Sequence, residues 1–291
     1  MSGTKQAKPP VGTAAAFAMS PGELVDRLRT GGLLKSDRGI PVALHVSSDL
    51  AGDIGGLLST DYQQVDGAAL LAGFDDAWAD VCSKLPAGHY HDSGSGLTKV
   101  AWIVVRATRP AKVVETGVAQ GGTSAMILRA LDLNNYGHLY SIDLPELRFI
   151  RDGRVGSVVP EHLVGRWTYI RGASHRKLVP LLNKLGSIDV FLHDSLHTDA
   201  NMRFELETGW QHLREGGVLL SDDVNMNRAF LEVAGLRTKW MLANAEPTKD
   251  GAYGIALRRP GSPSMRRDDV QRDELAQRRA SHASSAGSAP L

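Results

Sequence analysis

The 291-residue chain has a single cysteine, Cys82, so no internal disulfide can form, and a reducing cytoplasm is the expected compartment. Cys82 lies in an amphipathic run, which predicts a buried, inert thiol rather than a nucleophile. An excess of either charge is also missing. The 33 Lys and Arg against 32 Asp and Glu leave a formal charge of +1, and no long-range field favours nucleic acid or an anionic membrane. No apolar run approaches the ~20 residues of a membrane-spanning helix. The stretch Ala14–Met19 follows Lys5, Lys8 and Pro9-Pro10 and is too short for a secretion signal. Residues 1–20 therefore read as a disordered arm. At its one conspicuous glycine turn the chain lacks both Gly-Lys-Ser/Thr and the spacing Gly-x-Gly-x-x-Gly. These two absences exclude a phosphate loop and a dinucleotide fingerprint there.

What is present suits one domain with extensions, and a hydrophobic share of 42% is enough for a sizeable core. Ser20, Pro21 and Glu23 have the order of an N-cap, a first-turn proline and a capping-box partner. A helix is expected to follow, with Leu24, Val25 and Leu28 on one face, and to stop at Gly31-Gly32. Leu70, Leu71, Phe74, Trp78, Val81 and Leu85 recur at three-to-four spacing and predict a helix over 63–85. The polar loop His89–Gly96 follows, and then a helix from about Leu97 to Arg106 ahead of Pro110. From there the pattern alternates. Strands are expected at Lys112–Glu115, Gly137–Ile142, Thr168–Arg171, Ile188–Leu192 and Gly217–Ser221. Helices are expected at Ser124–Leu131, His175–Leu185 and Asp199–Leu213, and Tyr253–Leu257 reads as a hairpin return. Strands alternating with helices argue for an α/β, doubly wound, mostly parallel sheet that binds ligands beyond the carboxyl ends of its strands. Past Pro260 the chain is rich in Ser, Arg and Ala, and residues 261–291 read as a disordered tail.

The segment Val113-Val114-Glu115-Thr116-Gly117-Val118-Ala119-Gln120-Gly121-Gly122-Thr123-Ser124 is the most informative. A short apolar strand ends in a glycine-rich turn that opens a helix. Backbone N–H groups and a helix N-terminus can thus approach a ligand with no side chain between. Were that ligand a nucleoside, the next strand should end in an acid for the ribose hydroxyls. His138-Leu139-Tyr140-Ser141-Ile142-Asp143 does end so, and a carboxylate accepts from two adjacent hydroxyls. After the third strand, Ser174 is placed either to cap the next helix or to meet an adenine edge, and capping is the safer reading.

The fourth and fifth strands, Ile188–Leu192 and Gly217–Ser221, run into His193-Asp194-Ser195-Leu196-His197 and Asp222-Asp223. Each of these acids alone could be a turn or cap residue. Together, at neighbouring strand ends, they would repel unless a cation sat between them. An all-oxygen set completed by water suits Mg²⁺ or Mn²⁺ better than Zn²⁺. His197, three residues past Asp194, could serve as general base for a hydroxyl acidified by that cation. His193 should point the other way, and His175 reads as a first-turn residue of its helix.

The turn resembles the first motif of class I S-adenosylmethionine-dependent methyltransferases, whose fold is a Rossmann-like, seven-stranded sheet. Glu115-Thr116-Gly117, Asp143, Ser174, Asp194 and Asp222-Asp223 are similar, in order and spacing, to the cation-dependent O-methyltransferases related to catechol O-methyltransferase. The Asp194-Ser195-Leu196-His197 stretch looks closer still to the sugar O-methyltransferases of macrolide biosynthesis. The resemblance covers roughly residues 97–258. It implies a catalytic domain over 97–260, with 21–96 a helical extension or lid in front. It implies S-adenosylmethionine and Mg²⁺ (or Mn²⁺) as cofactors, and cofactor contacts at Glu115, Gly117, Gln120, Gly121, Ser124, Asp143, Ser174 and Asp194. The implied metal ligands are Asp194, Asp222 and Asp223, the last standing where the catechol enzyme has Asn, and the implied base is His197. The acceptor would be a hydroxylated small molecule, with the N-terminal region available for a homo-oligomer contact. A metal-independent methyltransferase, a nucleotide-dependent oxidoreductase and a non-catalytic subunit of the same fold are the rival readings.

Overall fold

The structure, a computed structural model, describes residues 22–26, 49–58, 67–85, 94–145, 155–239, 241–245, 247 and 251–262. The expected arm over 1–20, the stop at Gly31-Gly32, His89–Ser93 and the tail past residue 262 lie outside the described residues, as do Ser20 and Pro21. Residues 22–26 are helical. Then come helices α1 (Leu50–Leu58), α2 (Gly67–Leu71), α3 (Phe74–Lys84) and α4 (Ser95–Thr108). Strands and helices alternate afterwards: β1 (Lys112–Thr116), α5 (Gly122–Leu133), β2 (His138–Asp143), a 3-10 turn (Glu161–Arg166) and β3 (Trp167–Arg171). Next are α6 (Ser174–Leu185), β4 (Ile188–His193), α7 (Asp199–His212), β5 (Leu213–Ser221) and α8 (Ala229–Gly235). The hairpin β6 (Met241–Ala245) and β7 (Ala252–Leu257) closes the series.

The seven strands are ordered β3-β2-β1-β4-β5-β7-β6, with only β7 antiparallel to its neighbours β5 and β6. This is the doubly wound, mostly parallel sheet that the alternation predicts. The strand order reverses between β1 and β4, which pair in parallel from Val113 with Val190 to Thr116 with His193. The period-two alternation of each strand divides its apolar residues between two cores. Val113, Leu139, Val190, Leu192, Val218 and Leu220 face one side, with α1 to α5. Val114, Ile142, Phe191 and Leu219 face the other, with α6, α7 and α8.

Helix α4 is buried along most of its length because the sheet lies on one side and α1 to α3 on the other. Its hydroxyls bond back into the helix, Thr98 Oγ1 to the Gly94 carbonyl and Thr108 Oγ1 to the Val104 carbonyl, both at 2.8 Å. Trp102 Nε1 donates to the Leu70 carbonyl at 2.8 Å and ties α4 to α2.

Four local expectations need correction. The helix expected over 63–85 is broken at Gly73, whose φ of +80° ends α2 and starts α3. Strand β5 begins at Leu213 and not at the expected Gly217, and its register with β4 shifts between Ile188 and Val190. The cap of α6 is Ala173, not Ser174, and no side chain caps that helix. Cys82 is exposed, because the buried face of α3 is Phe74, Ala77 and Val81. Among the described residues no helix is long and apolar enough to cross a membrane.

Candidate active site

The carboxyl ends of the parallel strands are joined by a staircase of backbone hydrogen bonds that continues one residue past each ladder. Gly117 N–H donates to the Ile142 carbonyl (2.8 Å), Asp194 N–H to Thr116 (2.9 Å), Asp222 N–H to His193 (2.8 Å) and Gly172 N–H to Asp143 (2.8 Å). Gly117, Asp143, Asp194 and Asp222 are thereby held at one edge, as their places in the sequence require.

At that edge the glycine turn is tightly fixed. Gly117 has φ +87°, and a Cβ there would stand 1.7 Å from the Asp194 carbonyl oxygen, so only glycine lets β1 and β4 approach this closely. Gly121, at φ +90°, precedes α5 and faces Gly156 and Val159. The Ala119 and Gln120 carbonyls accept from Gly156 N–H (3.0 Å) and Val158 N–H (3.1 Å). Ala119 N–H points the other way, to Asp143 Oδ2 at 3.3 Å, which brings the acid of β2 beside the turn. The Gln120 amide is buried, and neither its nitrogen nor its oxygen has a partner among the described residues. An orphaned amide in a glycine-lined turn, next to a half-buried carboxylate, fits the amino-acid and ribose parts of S-adenosylmethionine.

Two of the residues expected at the cofactor serve the turn from behind. Glu115 is buried, and its Oε2 accepts from Ser124 Oγ and Ser141 Oγ, each at 2.7 Å. Burial pushes its carboxyl up to about 7, against the lowering effect of the two serine hydroxyls. Glu115 and Ser124 thus brace β1, α5 and β2 against one another. Ser174 Oγ faces Asn201 Oδ1 at 3.4 Å, in the space between α6 and α7.

The acidic residues converge. Asp194, His197 and Asp222 each offer one ligand atom, and these atoms lie within 4.8 Å of one another. Asp222 is 1% exposed, whereas Asp194 and His197 are half-buried. Asp223 stands apart from that trio. It adopts φ +46°, its carbonyl accepts from Met226 N–H at 2.9 Å, and its Oδ2 lies 3.1 Å from His197 Nδ1. His197 Nε2 is directed toward Asp194 Oδ1, 4.0 Å away. The backbone of His197 is held by Asn227, whose Nδ2 donates to its carbonyl at 3.1 Å. Thr198 is the N-cap of α7, accepting from Asn201 N–H, so Asp194 is not needed as a cap. Two carboxylates and an imidazole this close are a donor set suited to a divalent ion. His193, as expected, turns away from Asp194 into the core, where its Nδ1 meets Glu205 Oε2 at 2.6 Å. His175 is in the first turn of α6 and reaches Asp26 at 3.1 Å.

Part of the chain is similar to known proteins. A family model described as "Methyltransferase domain" matches residues 114–224, from β1 to just past β5. No curated protein matches the chain in sequence. Among solved structures, the O-methyltransferase from Bacillus cereus in complex with SAH is 16% identical, with a TM-score of 0.47 over 69% of this chain and 95% of that one. The O-methyltransferase TomG from Streptomyces achromogenes, involved in tomaymycin synthesis and bound to SAM, is 15% identical, with a TM-score of 0.48 over 83% of this chain and 100% of that one. The MycE methyltransferase of mycinamycin biosynthesis, in complex with Mg and SAH, is 15% identical, with a TM-score of 0.42 over 65% and 57%. The match over residues 114–224 spans the glycine turn and strands β1 to β5, and it agrees with the doubly wound, Rossmann-like sheet described above, the fold of the methyltransferases.

Proposed function

We propose that the chain transfers the methyl group of S-adenosylmethionine to a hydroxyl of a small molecule, with a divalent cation, Mg²⁺ or Mn²⁺, at the acidic end of the sheet. The observation that carries this reading is the convergence of Asp194, His197 and Asp222 within 4.8 Å, directly against Gly117 of the cofactor turn. A metal-independent transfer would have no use for these convergent carboxylates.

Gly117, Gln120 and Gly121 would shape the methionine pocket, and Asp143 would take the ribose hydroxyls. Asp194 and Asp222 would hold the cation. When bound, the ion would lower the pKa of an acceptor hydroxyl and offset the repulsion of the two carboxylates. Asp223, expected as a third ligand, would instead accept from His197 Nδ1–H and fix the tautomer with a bare Nε2. His197 Nε2 would take the proton of the acceptor hydroxyl. The chain's main task is alignment, since the sulfonium methyl is already electrophilic. A sugar, a phenol or another hydroxylated natural product fits such a site, and a formal charge of +1 gives no attraction to nucleic acid.

The test has two parts. Calorimetric titration with S-adenosylhomocysteine should show one site per chain, and methyl transfer to a panel of sugar and phenolic acceptors should be abolished by EDTA and restored by Mg²⁺ or Mn²⁺. Transfer that survives EDTA would leave the cofactor site standing and assign the proton step to the Asp223–His197 pair without a metal. No binding of S-adenosylhomocysteine would remove the whole reading.

A further inference from the structure

Glu205 lies in the middle of α7 with no exposed surface, yet its carboxylate gathers partners from the ends of β1 and β4, the loop beyond β4 and its own helix. It accepts from Thr116 Oγ1 at 2.5 Å, from Ser195 Oγ at 2.8 and 2.9 Å to its two oxygens, and from Asn201 Nδ2 at 3.1 Å. His193 Nδ1 donates to Oε2 at 2.6 Å. Burial pushes the carboxyl pKa up, but the facing His193 and the hydroxyls of Ser174 and Thr116 outweigh it and hold the group below its ordinary value. The carboxylate is therefore an ionised acceptor inside the core, where charge-assisted hydrogen bonds are strong.

Each partner flanks a residue of the proposed site. Thr116 immediately precedes Gly117. His193 and Ser195 bracket Asp194. Asn201 Nδ2 also donates to the Leu196 carbonyl at 2.9 Å, next to His197. The His193 ring packs edge-on against the His197 ring, with centroids 5.3 Å apart and planes at 79°. We infer that Glu205 is a positioning residue that fixes the segment Asp194–His197 against the glycine turn. It keeps the cation-holding carboxylate and the base in register with the cofactor while touching neither. The inference rests on the cation-dependent reading above.

The physical reason is donor counting. A carboxylate offers only acceptors, and four side chains aim donors at it. In Glu205→Gln the new amide N–H₂ must face either the Ser195–Asn201 pair or the Thr116–His193 pair; the hydroxyls can turn to accept, but Asn201 Nδ2 or His193 Nδ1–H is left donor against donor. The turn itself has further anchors, Gly117 N–H to Ile142 and Asp143 to Ala119 N–H, so the loop beyond β4 should loosen first.

The test compares wild type, Glu205→Gln and Ser195→Ala by Mn²⁺ titration, S-adenosylhomocysteine titration and urea unfolding. For Glu205→Gln the Mn²⁺ Kd is expected to rise about tenfold or more, as supporting partners of metal ligands commonly show. The S-adenosylhomocysteine Kd should change by less than about threefold, a separation that a general loss of structure would not produce. Ser195→Ala should shift Mn²⁺ affinity in the same direction by a smaller factor. An unchanged Mn²⁺ Kd in Ser195→Ala and in folded Glu205→Gln would overturn the inference, and so would equal losses of both affinities. Should Glu205→Gln not fold, Ser195→Ala decides alone by the same criterion. Wild type that binds no Mn²⁺ would overturn the cation-dependent reading and this inference with it. Wild type that binds Mn²⁺ beside unaffected variants would overturn the inference only.

Discussion

Glu115 shows how a single buried group makes the molecule sensitive to pH. Its carboxyl rises from 4.5 to about 7 in the folded chain because burial disfavours the charged form. Between those values the unfolded chain ionises Glu115 and the folded chain does not, so the group's contribution to stability is present at low pH and is lost as pH rises. The loss is complete above about 7 and amounts to about 3 kcal/mol. Glu115→Gln, which keeps an acceptor for Ser124 and Ser141, should therefore gain on wild type between pH 4.5 and 7 and hold its lead above. Urea unfolding of both proteins at pH 5 and pH 8 checks this; a constant difference would contradict it. At Gly117 the limit is steric: Gly117→Ala puts a Cβ into the Asp194 carbonyl at a φ that alanine resists. It should cost more than about 1 kcal/mol and remove S-adenosylhomocysteine binding, read by calorimetry. Gly117, Asp143, Asp194 and Asp222 were legible because acids and glycines just past apolar strands can only meet at one sheet edge. Glu205 was not. A glutamate among Met202, Leu206 and Trp210 on the buried face of α7 is its only local sign, and most of the partners that explain it come from β1, β4 and the loop beyond β4. The pairing of Asp223 with His197 was equally hidden, since it depends on the left-handed backbone at Asp223.

At the level of elements, the periodic segments were legible and their ends were not. Helix α7 is expected over Asp199–Leu213 and found over Asp199–His212, while the helix expected over 63–85 is two helices. Apolar spacing alone cannot show that Gly73 adopts φ +80°. Strand β6 was missed because Met-Leu-Ala-Asn-Ala is short, partly exposed and lacks β-branched residues; its pairing with β7 makes it a strand. The seat of α7 on the sheet depends on Gly209, where a Cβ would come within 2.5 Å of the Phe191 ring. In an isolated helix Gly→Ala would stabilise by about 1 kcal/mol. Here overpacking should win. Gly209→Ala should lose about 1–3 kcal/mol in urea unfolding, and a stabilised variant would show that α7 can shift without resistance.

For the molecule as a whole, the sheet is the shared wall of both cores, and α1 to α3 belong to the same packed body as β1, β4 and β5. Trp102 reports on one core and Trp210 on the other. Their fluorescence and the far-ultraviolet circular dichroism should therefore change together on urea unfolding; separate midpoints would mean that one layer peels away first. The division of the sequence near residue 96 is crossed by this packing, because α4 buries its residues against both parts. The contact between Gly117 and Asp194 joins strands that are neighbours in the sheet but far apart along the polypeptide. Closing such a distant pairing is entropically slow, so the two proposed ligand sites should form only when the centre of the sheet zips shut. In a stopped-flow refolding experiment, capture of S-adenosylhomocysteine should lag behind helix formation and coincide with the last kinetic phase.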